Sequence, residues 1–211
     1  MGVTVREREG AIAMGKTIYI VLTDTGTLLS KAIGMYTRKD LNHASIAFDE
    51  GLTEMYSFGR KQPHNPFIGG FVQENVSEGI FRDANCAVFR CPVSDGEYEK
   101  MRQKIRFIEQ NKDRYKYNFI GLFGVAFNVK IQREHAFFCS QFVATIVNEG
   151  GVPMFTIKPN LVQPHHFTNV PCLTQVFEGK LQSYLTKVRG KQERQPVRMG
   201  LWKSLVVRLL A

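Results

Sequence analysis

Apolar positions along the chain fall into short runs of two kinds, one suited to strands and one to helices. "KTIYIVLT" (16–23) is β-branched and aromatic almost throughout, the composition of a buried strand. "DTGTLLSKAIGMYT" follows, with Leu28, Leu29, Ala32, Ile33 and Tyr36 spaced for one helix face and Asp24 or Thr25 available as its cap. "NHASIAF" (42–48) and "TEMYSFG" (53–59) predict two strands joined by the "DEGL" turn as a hairpin. Residues 60–78 are rich in Gly, Pro and Asn and predict a long loop, a common place for substrate contacts.

The second half repeats the alternation. "ANCAVFRCPV" (84–93) predicts a strand. Ser94 and Glu97 then have capping-box spacing ahead of Tyr98, Met101, Ile105 and Ile108, which predicts an amphipathic helix to about residue 111. "DRYKYNFIGLFGVAF" predicts an aromatic connector with some helix, and "CSQFVATIVNEGG" a helix stopped by Gly150 and Gly151. "LTQVFEGKLQSYL" predicts two strands around a turn at Gly179. The order implies an α+β fold, a small, mostly antiparallel sheet packed against helices. There is no internal repeat, dinucleotide-binding glycine fingerprint or phosphate-binding loop signature.

At 211 residues the chain suits one domain with a substantial core. The expected division is an N-terminal extension over 1–13 (disordered, or an over-called start before Met14), a catalytic domain over 14–186, and a basic amphipathic tail over 187–211. Of the net charge of +9, that tail carries +6, through seven basic residues and the single acid Glu193. The globular part is therefore only mildly basic, and specific nucleic-acid binding is not expected. In the tail, Leu201, Trp202, Leu205, Val206 and Leu209 share a helical stripe, an arrangement suited to an anionic membrane surface. The alternative is a terminal helix packed on its own domain. No run approaches 18 apolar residues and the N-terminus has no secretory pattern, so the expected location is cytoplasmic, with membrane association through the tail.

Cys86, Cys91, Cys139 and Cys172 show no C-x-x-C spacing, so neither a structural metal nor a cofactor is expected, and free thiols are the default. Cys139 stands apart. It opens a helix, where free amides and the macrodipole favour an anion and so a thiolate. The same amides suit a developing oxyanion. The bland alternative is a small buried hydrophobe. Phe138, Phe142 and Ile146, with Val143 and Val147 beside them, pin this helix in the core.

A nucleophile also needs a base. His43 lies in a predicted strand, on the same face as Ser45 and Ala47, small residues that leave room for a partner. His64 reads as a surface loop residue and His135 as part of a turn. His165 and His166, in a loop after Pro164, are the alternative bases. An orienter for the second ring nitrogen is sought in the following strand. Glu54 carries the full charge, with Tyr56 and Ser57 as alternatives and a solvated strand position as the plain reading of Glu54.

"NHASIAFDEGLTEMYSFGRK", "YKYNFIGL" and "FFCSQFVATIVNEGG" together resemble the circularly permuted branch of the NlpC-type, papain-like cysteine hydrolases. Within it they are similar to uncharacterised bacterial relatives of lecithin–retinol acyltransferases. The resemblance covers about residues 16–170 and turns on order, because in that branch the histidine strand precedes the cysteine helix. It implies Cys139 as nucleophile and His43 as base. Many relatives place a third polar residue about twelve positions after the base, where this chain has Met55 flanked by Glu54 and Tyr56. The implied activity is hydrolysis or transfer of an acyl group from an amide, ester or thioester, on a small acyl, peptide or lipid substrate. The other readings are a binding module that keeps the pocket without full catalysis, and a membrane-surface binder acting through the tail.

Overall fold

The structure, a computed structural model, describes residues 15–24, 41–60, 69–117 and 136–194. Its centre is a six-stranded antiparallel sheet in the order β4-β3-β2-β1-β5-β8. The strands are β1 (Lys16–Asp24), β2 (His43–Ala47), β3 (Met55–Arg60), β4 (Gly69–Gln73), β5 (Asn85–Val93) and β8 (Thr174–Lys180). A short parallel pair, β6 (Lys116–Tyr117) and β7 (Ala136–Phe137), leads into the cysteine helix. The helices are α1 (Asp95–Gln110), α2 (Cys139–Glu149) and α3 (Leu181–Arg194). The fold class is α+β, as the sequence predicts. Among the described residues no helix is long and apolar enough to cross a membrane.

The sheet is covered on both faces, which explains why its central strands are apolar at nearly every position. One core joins Ile18, Ile20, Leu22, Ala44, Ile46 and Phe58 to Met101, Ile105 and Ile108 of α1 and to Phe142, Val143 and Ile146 of α2. The other joins Val21, Ala47, Met55 and Val88 to Leu181, Tyr184, Leu185 and Val188 of α3. Successive residues of β1 and β2 therefore enter opposite cores, the period-2 consequence of a pleated strand.

Local chemistry sets the boundaries. Asp49 closes the β2–β3 turn by accepting from the backbone N–H of Thr53 (3.0 Å) and of Glu54 (2.7 Å), while Leu52 takes a positive φ of 57°. The Ser94–Glu97 capping box starts α1. At the end of α2, Gly151 adopts φ 94° and its N–H bonds to the Asn148 carbonyl.

Two expectations are corrected. The predicted loop at 60–78 contains β4, which forms the edge of the sheet and pairs with β3 from Tyr56↔Gln73 to Arg60↔Gly69. The second of the two predicted C-terminal strands is helical, since Leu181 opens α3. Gly179 lies inside β8, opposite Cys86, with φ 139°. Helix α3 also crosses the expected boundary at residue 187, and Val188 is buried in the second core, so the first part of the predicted tail belongs to the domain. The extension over 1–13, the helix predicted after Thr25 and the amphipathic stripe at 201–209 lie outside the described residues.

Candidate active site

The site is assembled where the β2–β3 ladder stops. That ladder pairs Ile46 with Tyr56 and Ala47 with Met55. Beyond it, Ala44 turns its backbone N–H to the sulfur of Cys139. Cys139 is the first residue of α2, and its thiol is buried at 3% exposure. The helix start has no side-chain cap and no acidic residue in its first turn. Its free amides therefore remain open to an anion, and the Ser140 N–H is also directed at the sulfur. Ser140 itself is held by its hydroxyl, which donates to the Val162 carbonyl at 2.7 Å and fixes the turn that carries the thiol.

His43, at the start of β2, is hydrogen-bonded to Cys139. Its Nε2 lies 3.1 Å from Oε1 of Glu74 and donates to the carboxylate. Both side chains are only 12% exposed. Ser57 donates its hydroxyl to the same Glu74 oxygen. Phe81 closes one side of the imidazole, its ring centroid 6.3 Å away.

These contacts set the charge state. Burial works against a charged imidazole, but the hydrogen bonds and charges of Cys139 and Glu74 outweigh it and raise His43 from 6.5 to about 10. Burial likewise opposes a thiolate at Cys139, and the His43 imidazolium with the N–H groups of Ala44 and Ser140 brings the thiol below its ordinary value. Both shifts act in the direction of a thiolate–imidazolium pair. Cys86, by contrast, is pushed up to about 12 by burial alone.

Of the residues singled out in the sequence, Cys139 and His43 come together and Ser57 reaches the site through Glu74. Glu54 does not. It forms a two-pronged ion pair with Arg102 of α1, Oε1 accepting from Nη2 at 3.2 Å, and Glu74 stands beside His43 in its place. Tyr56, one residue from Ser57 and so on the opposite face, stacks on Phe71 with ring centroids 5.7 Å apart. His166 accepts the Gln163 N–H through Nδ1 at 3.1 Å, a capping bond within the 3₁₀ turn Pro164–Asn169, and burial lowers its pKa. His64 and His135 lie outside the described residues.

Glu74 is the residue that sequence reasoning missed. It follows β4, and its backbone N–H donates to the Met55 carbonyl at 2.8 Å, extending the ladder by one step. A groove of about 660 Å³ between the β2–β3 turn and α3 reaches Glu74 but is not lined by Cys139. Among the described residues no cluster of three or more His, Cys, Asp or Glu has the arrangement of a metal site. Comparison of the chain with family models, curated proteins and solved structures gives no match.

Proposed function

We propose that the protein is a cysteine hydrolase or acyltransferase of the permuted papain-like kind, acting on an amide, ester or thioester through a covalent acyl-enzyme. The single observation that carries this reading is the hydrogen-bonded line Cys139–His43–Glu74, built on a helix start and two strand ends. In the reaction the Cys139 thiolate attacks the carbonyl carbon of the substrate, and its electron pair forms the new C–S bond. The carbonyl oxygen takes the negative charge, which the backbone amides at the start of α2 are suited to receive. The His43 imidazolium gives its proton to the leaving amine, alcohol or thiol as the C–N, C–O or C–S bond breaks. The neutral imidazole then takes a proton from water, or from an acceptor nucleophile, which attacks the thioester and releases Cys139. Glu74 holds the tautomer and orientation of His43 throughout.

The presence of a third polar partner removes the main argument for a catalytically weakened binding module, which rested on Met55 standing where that partner is expected. Substrate class within the acyl group remains peptide or lipid on this reading. The test is direct: incubate the protein with p-nitrophenyl acetate and p-nitrophenyl decanoate, then record the intact mass. A mass increase of one acyl group, located on Cys139 and lost in Cys139→Ala and His43→Ala, is the expected result. Release of p-nitrophenol without any acyl adduct, unchanged by either substitution, would remove the proposal.

A further inference from the structure

We propose that Ser57 is a positioning residue that locks the Glu74 carboxylate beneath His43, making the site a four-membered line. The inference deepens the reading above and rests on Cys139 and His43 being the reacting pair. His43 is on β2 and Glu74 follows β4, so β3 lies between them. Neighbouring strands are about 4.8 Å apart, and side chains two strands apart meet only by reaching over the middle strand. The middle strand must then carry little on that face.

Past Met55, at the hairpin end, it carries only Ser57 and Gly59 there. Met55 pairs with Ala47, which places Met55, Ser57 and Gly59 on the face of His43. A Cβ at Gly59 would stand 3.4 Å from the Ser57 hydroxyl and 3.7 Å from Glu74 Oε1, so the bare glycine borders the carboxylate. Ser57, fully buried, fills the remaining place with a donor rather than a methyl group. Oε1 of Glu74 thus receives two donors, the Ser57 hydroxyl and His43 Nε2–H. The backbone bond from Glu74 to Met55 fixes the base of the same side chain.

The use of this hydroxyl is selective. Thr23 and Ser45 occupy the same face, Thr23 opposite His43 and Ser45 opposite Val21, and both are fully buried. Among the described residues their hydroxyls have no hydrogen-bond partner, whereas that of Ser57 is spent on Glu74. A glutamate side chain has three rotatable bonds, and a single bond to a histidine leaves it free to rotate away. A second donor on the same oxygen removes that freedom. Among the described residues the titratable groups acting on His43 are Cys139 and Glu74, while Thr23, Ser57 and Phe81 bring no charge.

The experiment is the pH dependence of Cys139 alkylation by iodoacetamide, followed by mass spectrometry in the full chain, with Ser57→Ala and Ser57→Thr. In the parent protein the rate should show a plateau between formation of the thiolate and loss of the imidazolium proton. Ser57→Ala should narrow that plateau from both ends by about one pH unit, and Ser57→Thr, which restores the hydroxyl, should recover it. If the threonine variant does not fold, the alanine profile decides alone, since the position of a plateau does not depend on the amount of folded protein. A Ser57→Ala profile that superimposes on the parent, or equal shifts in both variants, overturns the inference. In either case a fast Cys139 in the parent leaves the cysteine–histidine reading standing. A parent Cys139 with no plateau instead removes both.

Discussion

Nε2 of His43 stands 3.1 Å from Oε1 of Glu74, although the two residues are 31 positions apart in the chain. The contact crosses β3, and the charge on Glu74 is one of the reasons His43 keeps its proton to about pH 10. Glu74→Gln retains the shape and removes the charge. It should slow alkylation of Cys139 at pH 6.5 by about tenfold or more, since an imidazolium without its carboxylate supports the thiolate less well. Glu54→Gln should leave that rate unchanged. Its partner Arg102 and Glu54 are 26% and 40% exposed, so loss of that pair should cost at most about 1 kcal/mol in a urea melt.

The four thiols should separate by reactivity. At pH 6.5 iodoacetamide should label Cys139 first, because its environment favours the anion. Cys86 should remain unlabelled in the native protein, since burial pushes it to about 12. Peptide mapping after a short exposure reads the order, and preferential labelling of Cys86 would contradict the charge assignment.

Gly150 follows α2 with helical φ of −66°, where alanine would ordinarily gain a few tenths of a kcal/mol or more. Here an added Cβ would lie 2.4 Å from Met101 Cγ and 3.1 Å from the Ile146 carbonyl. Gly150→Ala should therefore destabilise the protein by about 1–3 kcal/mol through the α1–α2 contact. A chemical-denaturation midpoint equal to or above that of the parent would show that Met101 moves aside at no cost.

The hairpin, α1 and α2 are legible in the sequence because each has a local signature: period-2 strands around the Asp-Glu-Gly-Leu turn, a capping box, a helix ended by two glycines. Cys139 and His43 could be chosen for the same reason, one at a helix start and one among small residues. Strand β4 is not legible. Its "GGFVQ" has no side chain at two of five positions, so the alternation is erased, and the proline-rich stretch before it argues for a loop. Glu74, seen only as one acid in "QENVSEG", is lost with that strand. In α3 the signal is present: Leu181, Tyr184, Leu185 and Val188 follow helical i, i+3, i+4 and i+7 spacing, but Gly179 directly before them imitates a hairpin turn.

The last residue of α3 buried in the second core is Val188. Removal of residues 195–211 leaves the described contacts of α3 in place, and on the membrane-surface reading of the tail it should leave the melting temperature within about 2 °C. On the amphipathic reading of 201–209, the same deletion should abolish flotation with anionic vesicles. Val188→Asp, which places a charge in the second core, should lower the melting temperature by about 10 °C or more.

On the proposed function Cys139 and His43 act as a thiolate–imidazolium pair at neutral pH. A lowered thiol gives up its proton at a lower pH than an ordinary one, and a raised imidazole stays charged until pH rises through about 10. The most direct test is the thiolate absorbance at 240 nm, titrated from pH 4 to 10 in a variant carrying Cys139 alone, with and without His43→Ala. The account predicts that with His43 present the thiolate forms at a lower pH than that of an ordinary thiol, and that removal of His43 displaces the titration upward. Coincident titration curves with a midpoint near that of an ordinary thiol would contradict it.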